Sequence, residues 1–136
     1  MRKINRISFV LVLVILFARS NMFAQTEVSG VISENTTWTI ENSPYIITGN
    51  ILVDSSVTLY INAGVEISFI KEKSIQIDGC LKAIGTETNK IVFTSYETTP
   101  EKGDWGYLFF TNKSKSAQFD SNKNYVEGSI LEHCQI

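Results

Sequence analysis

Val57-Thr-Leu-Tyr-Ile61, Val65-Glu-Ile-Ser-Phe69 and Ser74-Ile-Gln-Ile-Asp-Gly79 follow one another with short polar joints between them. In each stretch apolar and polar residues alternate, so one side of an extended chain is oily and the other wet. The phase continues outward. Ile51 and Val53 precede it, and Leu81, Ala83, Ile91 and Phe93 follow it. Asp54-Ser-Ser56, Asn62-Ala-Gly64 and Lys71-Glu-Lys73 supply turns, and Gly85-Thr-Glu-Thr-Asn89 a longer loop. Val, Ile, Thr, Tyr and Phe are dense beyond the first two dozen residues and alanines are few, which is strand composition. The expectation is an all-β chain.

A two-sheet sandwich accepts such strands as readily as a solenoid does. A repeat favours the solenoid. Ile47-Thr-Gly-Asn-Ile-Leu-Val53 aligns with Ile77-Asp-Gly-Cys-Leu-Lys-Ala83 at a shift of 30 residues, with weaker copies at Gly30-Val-Ile32 and Gly128-Ser-Ile130. Three strands per coil of that length predict a parallel β-helix of about three to four coils. Each coil advances the axis by about 4.8 Å. Residues 45–136 are assigned to these coils. Residues 25–44 fit the pattern less well and are expected to cap the first coil through Trp38 and Ile40, with an ordinary hairpin strand at Trp38 as the alternative. At the other end an apolar stretch beginning at Tyr125 runs to Ile136 with nothing to cover it. This predicts a truncated chain, or self-association through the exposed C-terminal edge.

Residues 1–24 read as a signal peptide. Arg2, Lys3 and Arg6 precede the apolar run Ile7–Ala18, which is too short to span a bilayer comfortably, and cleavage is expected after Ala24 or Ser20. An uncleaved membrane anchor is the alternative. The reading predicts a secreted or cell-surface protein with no stable membrane insertion after cleavage. Removing residues 1–24 also removes every arginine. Eight lysines then stand against fourteen Asp and Glu, a balance of −6. That balance argues against nucleic acid as a partner, because phosphate contacts need clustered Lys and Arg. Cys80 and Cys134 are left, either as a disulfide or as two free thiols.

Trp38-Thr-Ile40, Ser43-Pro-Tyr45, Thr48-Gly-Asn50, Val57-Thr-Leu59, Ala63-Gly-Val65, Ile77-Asp-Gly79, Ile91-Val-Phe-Thr-Ser95 and Gly103-Asp-Trp-Gly106 together resemble the N-terminal portion of bacterial secreted right-handed parallel β-helix repeat proteins of pectate-lyase-like fold. The likeness covers about residues 28–136. It departs from that family's usual pattern at Ala63, where proline is common, and at Tyr107, where a second glycine is. The resemblance implies a cell-surface protein whose relatives include polysaccharide-active enzymes and proteins without known activity.

No catalytic residues can be named. The proton abstraction that the resemblance implies needs a basic residue with carboxylate-held calcium, and arginine is absent from residues 25–136. Lys82 near Asp78, and Lys71 and Lys73 beside Glu72, read as solvated charged faces. Fourteen acids make coincidental carboxylate pairs easy, so no glycosidase pair stands out. His133 beside Cys134 is too small a set for zinc, and strand neighbours face opposite ways. For calcium, the oxygen donors that could gather are Glu101, Asp104, Asp120 and Asn122, although no Asp-x-Asp spacing supports them, and no cofactor is assigned. Among the aromatic residues, Tyr60 lies out of phase between Leu59 and Ile61, and Trp105 and Tyr107 are out of phase with Leu108. These three are the candidates for stacking on sugar rings, the alternative being that they cover loops. The sequence thus points to an exported β-helix scaffold or binding module with polysaccharide as the ligand class. The rival is the N-terminal fragment of a polysaccharide lyase or glycoside hydrolase with catalytic coils beyond residue 136.

Overall fold

The computed structural model describes residues 24–136. The expected signal peptide lies almost wholly outside the described residues. Among those described, no helix is long and apolar enough to cross a membrane. Among the described residues the chain is all-β, the one helical piece being a 3₁₀ turn at Ile40–Asn42. Thirteen strands follow in order: β1 Thr26–Ile32, β2 Thr36–Trp38, β3 Tyr45–Val53, β4 Thr58–Ile61, β5 Glu66–Phe69, β6 Ile75–Ile77 and β7 Cys80–Ile84. β8 Ile91–Ser95, β9 Leu108–Phe110, β10 Gln118–Phe119, β11 Tyr125–Glu127, β12 Ile130–Glu132 and β13 Cys134–Gln135 complete the set.

The strands form a parallel solenoid of about three turns. Three stacks of strands make its three faces. The first face holds the opening halves of β1 and β3, then β5, β8 and β13. The second holds the closing halves of β1 and β3, then β6 and β9. The third holds β2, β4, β7 and β12. Only β10 and β11 pair antiparallel, as a hairpin outside the coil.

The alternation in the sequence reports the inside of this coil. Tyr45, Ile67 and Phe93 stack through successive rungs, as do Ile51 with Ile75, Val53 with Ile77, Leu59 with Leu81, and Ile61 with Ala83. All are buried in one cluster. Burying such side chains stabilises by about 1.5–3 kcal/mol each, so the core is the main support of the coil.

Two expectations need correction. The 30-residue repeat is not the coil. Tyr45 lies beneath Ile67, Ile51 beneath Ile75 and Leu59 beneath Leu81, offsets of 22 to 24 residues. Ile47 stacks on Phe69, while Ile77 stacks on Val53 and Phe110. The two similar phrases turn different corners. Gly49 lies between the first and second faces, and Gly79 between the second and third. At Gly79 a Cβ would collide with the carbonyl oxygens of Val57 and Asp54, so this corner admits glycine alone. The region expected as a cap, 25–44, is also less separate than its composition implies. β1 and β2 are in parallel register with β3 and β4, and Trp38 is buried against Tyr45, ring centres 4.7 Å apart. This region covers the next coil by forming a rung itself.

Where the backbone ladder breaks at corners, side chains of one rung hold the next. Asn35 Oδ1 accepts from the Thr58 amide (2.8 Å), Ser43 Oγ from Glu66 (2.9 Å) and Asn50 Oδ1 from Ser74 (3.0 Å). Ser74 Oγ in turn accepts from Tyr107 (3.1 Å) and Ser129 Oγ from Leu81 (3.2 Å). Buried amides are costly when unpaired, so these small polar residues fix the register.

Candidate functional site

A strand that buries one row must display the other. On the second face the displayed row is Val31, Leu52, Gln76 and Phe109, one residue per rung. Tyr107, just before β9, adds its ring edge-on to Phe109 at 6.0 Å. Tyr107 is 59% exposed and Phe109 51%. Val31, Leu52, Gln76 and Tyr107, with Gly30, Asn50, Ile51 and Ser74, line a groove of about 230 Å³ with no charged residue in its lining, and Phe109 stands beside it against Tyr107.

The third face displays Thr37, Tyr60, Lys82 and Ile130. Here the fourth rung departs from the others. Instead of a short corner, residues 111–129 leave the coil and return, carrying the β10–β11 hairpin. The excursion is tied down. The Lys115 amide donates to the Gly79 carbonyl (2.8 Å), the Ser129 amide to that of Lys115 (2.8 Å), and the Lys115 ammonium pairs with Glu127 at 2.6 Å. Asp120 accepts from the Asn122 and Asn124 amides and closes the hairpin tip. Tyr125 donates to the Gly128 carbonyl and faces the Lys82 ammonium, 5.8 Å from its ring centre. The same ammonium lies 5.9 Å from the Tyr60 ring.

Asp78 sits at the root of the excursion and is nearly buried. It accepts from Gln76 Nε2 (2.9 Å), Thr111 Oγ1 (3.0 Å) and Lys113 Nζ (3.3 Å). The Gln76 amide first, with Thr111 and Lys113 behind it, holds the carboxyl below its ordinary range, against the opposing effect of burial. Lys82, the neighbour expected from sequence, pairs with aromatic rings and not with Asp78. Lys115 first, then Lys82, likewise lowers Glu127.

The three aromatic candidates do not form one site. Tyr60 is on the third face and half-exposed. Tyr107 is at the lip of the second-face groove. Trp105 turns inward and stacks on Phe69 at 4.3 Å. The expectation that Trp105 and Tyr107 share a face fails because the strand begins only at Leu108, and residues 101–107 form turns where alternation has no meaning. Phe109, missed from sequence, was legible in the phase of Leu108-Phe-Phe110. Phe119 and Tyr125 were not, since nothing in the sequence folds residues 111–129 back onto the third face.

Glu101 and Asp104 share one turn, Asp120 and Asn122 another. Among the described residues no group of three or more His, Cys, Asp or Glu converges as a metal site. Cys80, buried, and Cys134 are free thiols. His133 lies 3.9 Å from Glu132.

A parallel β-solenoid with displayed aromatic rows is a repeat scaffold, the class this geometry defines. Residues 30–131 match the family of pectate-lyase-like β-helix domains, and the chain belongs to that family. It is also similar to Protein bark beetle of Drosophila melanogaster, 40% identical over 57 residues. That likeness covers 42% of this chain and 2% of the relative's length. No solved structure matches.

Proposed function

We propose that this β-helix scaffold is an exported binding module, non-catalytic by itself, whose ligand is an uncharged polysaccharide held in the second-face groove. One observation carries the reading. An uncharged groove lined by the exposed Tyr107, whose ring meets that of Phe109 just outside it, lies on a chain whose residues 25–136 balance at −6. Aromatic faces pack against the C–H faces of sugar rings, while amides and hydroxyls orient the hydroxyl groups. Gln76, Asn50 and Ser74 are the polar groups at hand. The rungs place successive outward residues about 4.8 Å apart, suiting an extended, repeating ligand. The apolar run Ile7–Ala18 behind Arg2, Lys3 and Arg6 supports export.

Affinity electrophoresis through gels cast with neutral polysaccharides tests the ligand class. Tyr107→Ala is expected to weaken retention by about 1 kcal/mol, roughly fivefold, with folding intact. Equal retention of the variant and the parent would remove the groove from the reading. The mass of the protein recovered outside the producing cell tests export, with Gln25 or Asn21 expected as the first residue.

A further inference from the structure

The row on the third face is not used by the groove on the second. Tyr60 and Lys82 are stacked neighbours of adjacent rungs, and the tethered excursion adds Tyr125. Phe119 extends the row, its ring edge-on to Tyr125 at 6.3 Å. Tyr60 is 38% exposed and Phe119 60%. The surface therefore offers aromatic area around one fixed cation.

Lys82 differs from the other described lysines without an ion pair in that its ammonium lies over two aromatic rings. Glu127 is engaged by Lys115 at 2.6 Å. Among the described residues no carboxylate stands within ion-pair distance of Lys82. Its ammonium is held by two ring faces, which attract it without neutralising it. Lys82, Lys115 and Glu127 together leave one positive charge within residues 25–136, which as a whole balance at −6. An anionic group is the complement of such a site.

The kind of anion follows from the kind of cation. A planar carboxylate is matched best by the two-pronged guanidinium of arginine, and residues 25–136 contain none. Lysine is a compact point charge with three donors, so its contact needs no two-pronged partner and one oxygen of an ester sulfate satisfies it. We propose that the Tyr60–Lys82–Tyr125 row binds a sulfate-bearing sugar, with the ester sulfate at Lys82 and the sugar ring against Tyr60 and Phe119. The proposal takes its ligand class from the carbohydrate reading above but concerns a different face.

Affinity electrophoresis of the full chain in dextran sulfate, carboxymethyl dextran and unmodified dextran, at one ionic strength, decides the matter. Dextran sulfate is expected to retard the protein most. Lys82→Gln should lose about tenfold of that retardation, and Tyr60→Ala about threefold. Lys90→Gln, an exposed lysine elsewhere, should lose nothing. Lys82→Met keeps the side-chain stem between the rings without the charge. It should fold as the parent does and bind as Lys82→Gln does. No retardation by dextran sulfate, an equal loss in Lys90→Gln, or full retention in Lys82→Met would overturn the site. Equal retardation by carboxymethyl dextran would overturn the choice of sulfate. Neutral polysaccharide binding should be untouched in Lys82→Gln. Loss of neutral binding in Tyr107→Ala with sulfate binding preserved separates failure of one reading from failure of the other.

Discussion

From the second face to the third, one coil turns through Asp54–Val57 and the next through Asp78–Gly79, whereas the last takes residues 111–129 to make the same passage. Within residues 45–95, every inward position of the strands is buried, and the displayed positions of the second and third faces carry few large apolar groups. Within residues 96–136 no apolar side chain is fully buried, while Tyr96, Tyr107, Phe109, Phe119, Val126, Leu131 and Ile136 are exposed. The first region spends its apolar residues on the core. The second places many of them on the surface, held by hydrogen bonds and ion pairs to the rung below. Large exposed apolar groups are denser in the second region, and the two proposed binding faces combine them with Asn50, Ser74, Gln76, Tyr60 and Lys82 of the first.

Core substitutions should separate the two regions most sharply. Phe69 is fully buried at the centre of the cluster, and Phe109 stands outside. Phe69→Ala is expected to cost about 3–5 kcal/mol, through lost transfer energy and a cavity that parallel stacking cannot collapse. Phe109→Ala should stay within about 0.5 kcal/mol. Urea unfolding of both variants measures the difference, and comparable losses would mean that the outer row is structural after all.

Trp105 tests the seam. It belongs by sequence to the later region but stacks on Phe69, the largest fully buried side chain of the earlier region's core. Trp105→Ala should destabilise by about 2 kcal/mol, less than Phe69→Ala because the indole is only partly buried. Its effect on polysaccharide retention should vanish once folding is restored at lower temperature. A variant that kept full stability and lost binding would return Trp105 to the binding surface.

How far the sequence could be read follows the same division. Period-two alternation identified the inward residues of β3 to β8, because a strand buried on one face has no other way to write its pattern. The solenoid was read from the 30-residue repeat, which made the coil several residues too long. Gly49 and Gly79 sit in similar phrases, and a glycine needed at one corner looks the same as a glycine needed at another. The displayed row of the second face was readable only in part. Tyr107 stands outward and Trp105 inward, a difference alternation could not register, since the strand begins only at Leu108. Of the third-face row Tyr60 was legible as an outward residue, but its grouping with Lys82 and Tyr125 was not. Lys82 and Tyr125 are 43 positions apart, and their meeting depends on the Lys115–Glu127 pair and the Asp120 turn, local polar contacts with no periodic signature.

Asp78 joins the two regions, and acid should act on that joint. Its carboxylate is held by Gln76 from the regular coil and by Thr111 and Lys113 from the excursion. These contacts lower its pKa from the ordinary value of 3.8. A carboxyl whose folded pKa is depressed stabilises the fold above its unfolded pKa and loses that contribution as pH falls through the folded value. The excursion should therefore loosen below about pH 3.8 while the apolar core persists. Asp104, Asp120 and Glu127 are lowered as well, so all of them contribute in this window. Asp78→Asn isolates one share, because the amide keeps the shape and cannot titrate. Hydrogen exchange at the Thr111 and Lys115 amides, which donate to Ile77 and Gly79, reads the root of the excursion directly. In the parent, protection there should drop as pH falls below about 3.8, before protection of Leu59 and Ile67 does. In Asp78→Asn it should be lower at pH 4.5 and change less on acidification. An identical acid profile in both proteins would show that the excursion is held by its other contacts and that Asp78 is a bystander at the corner.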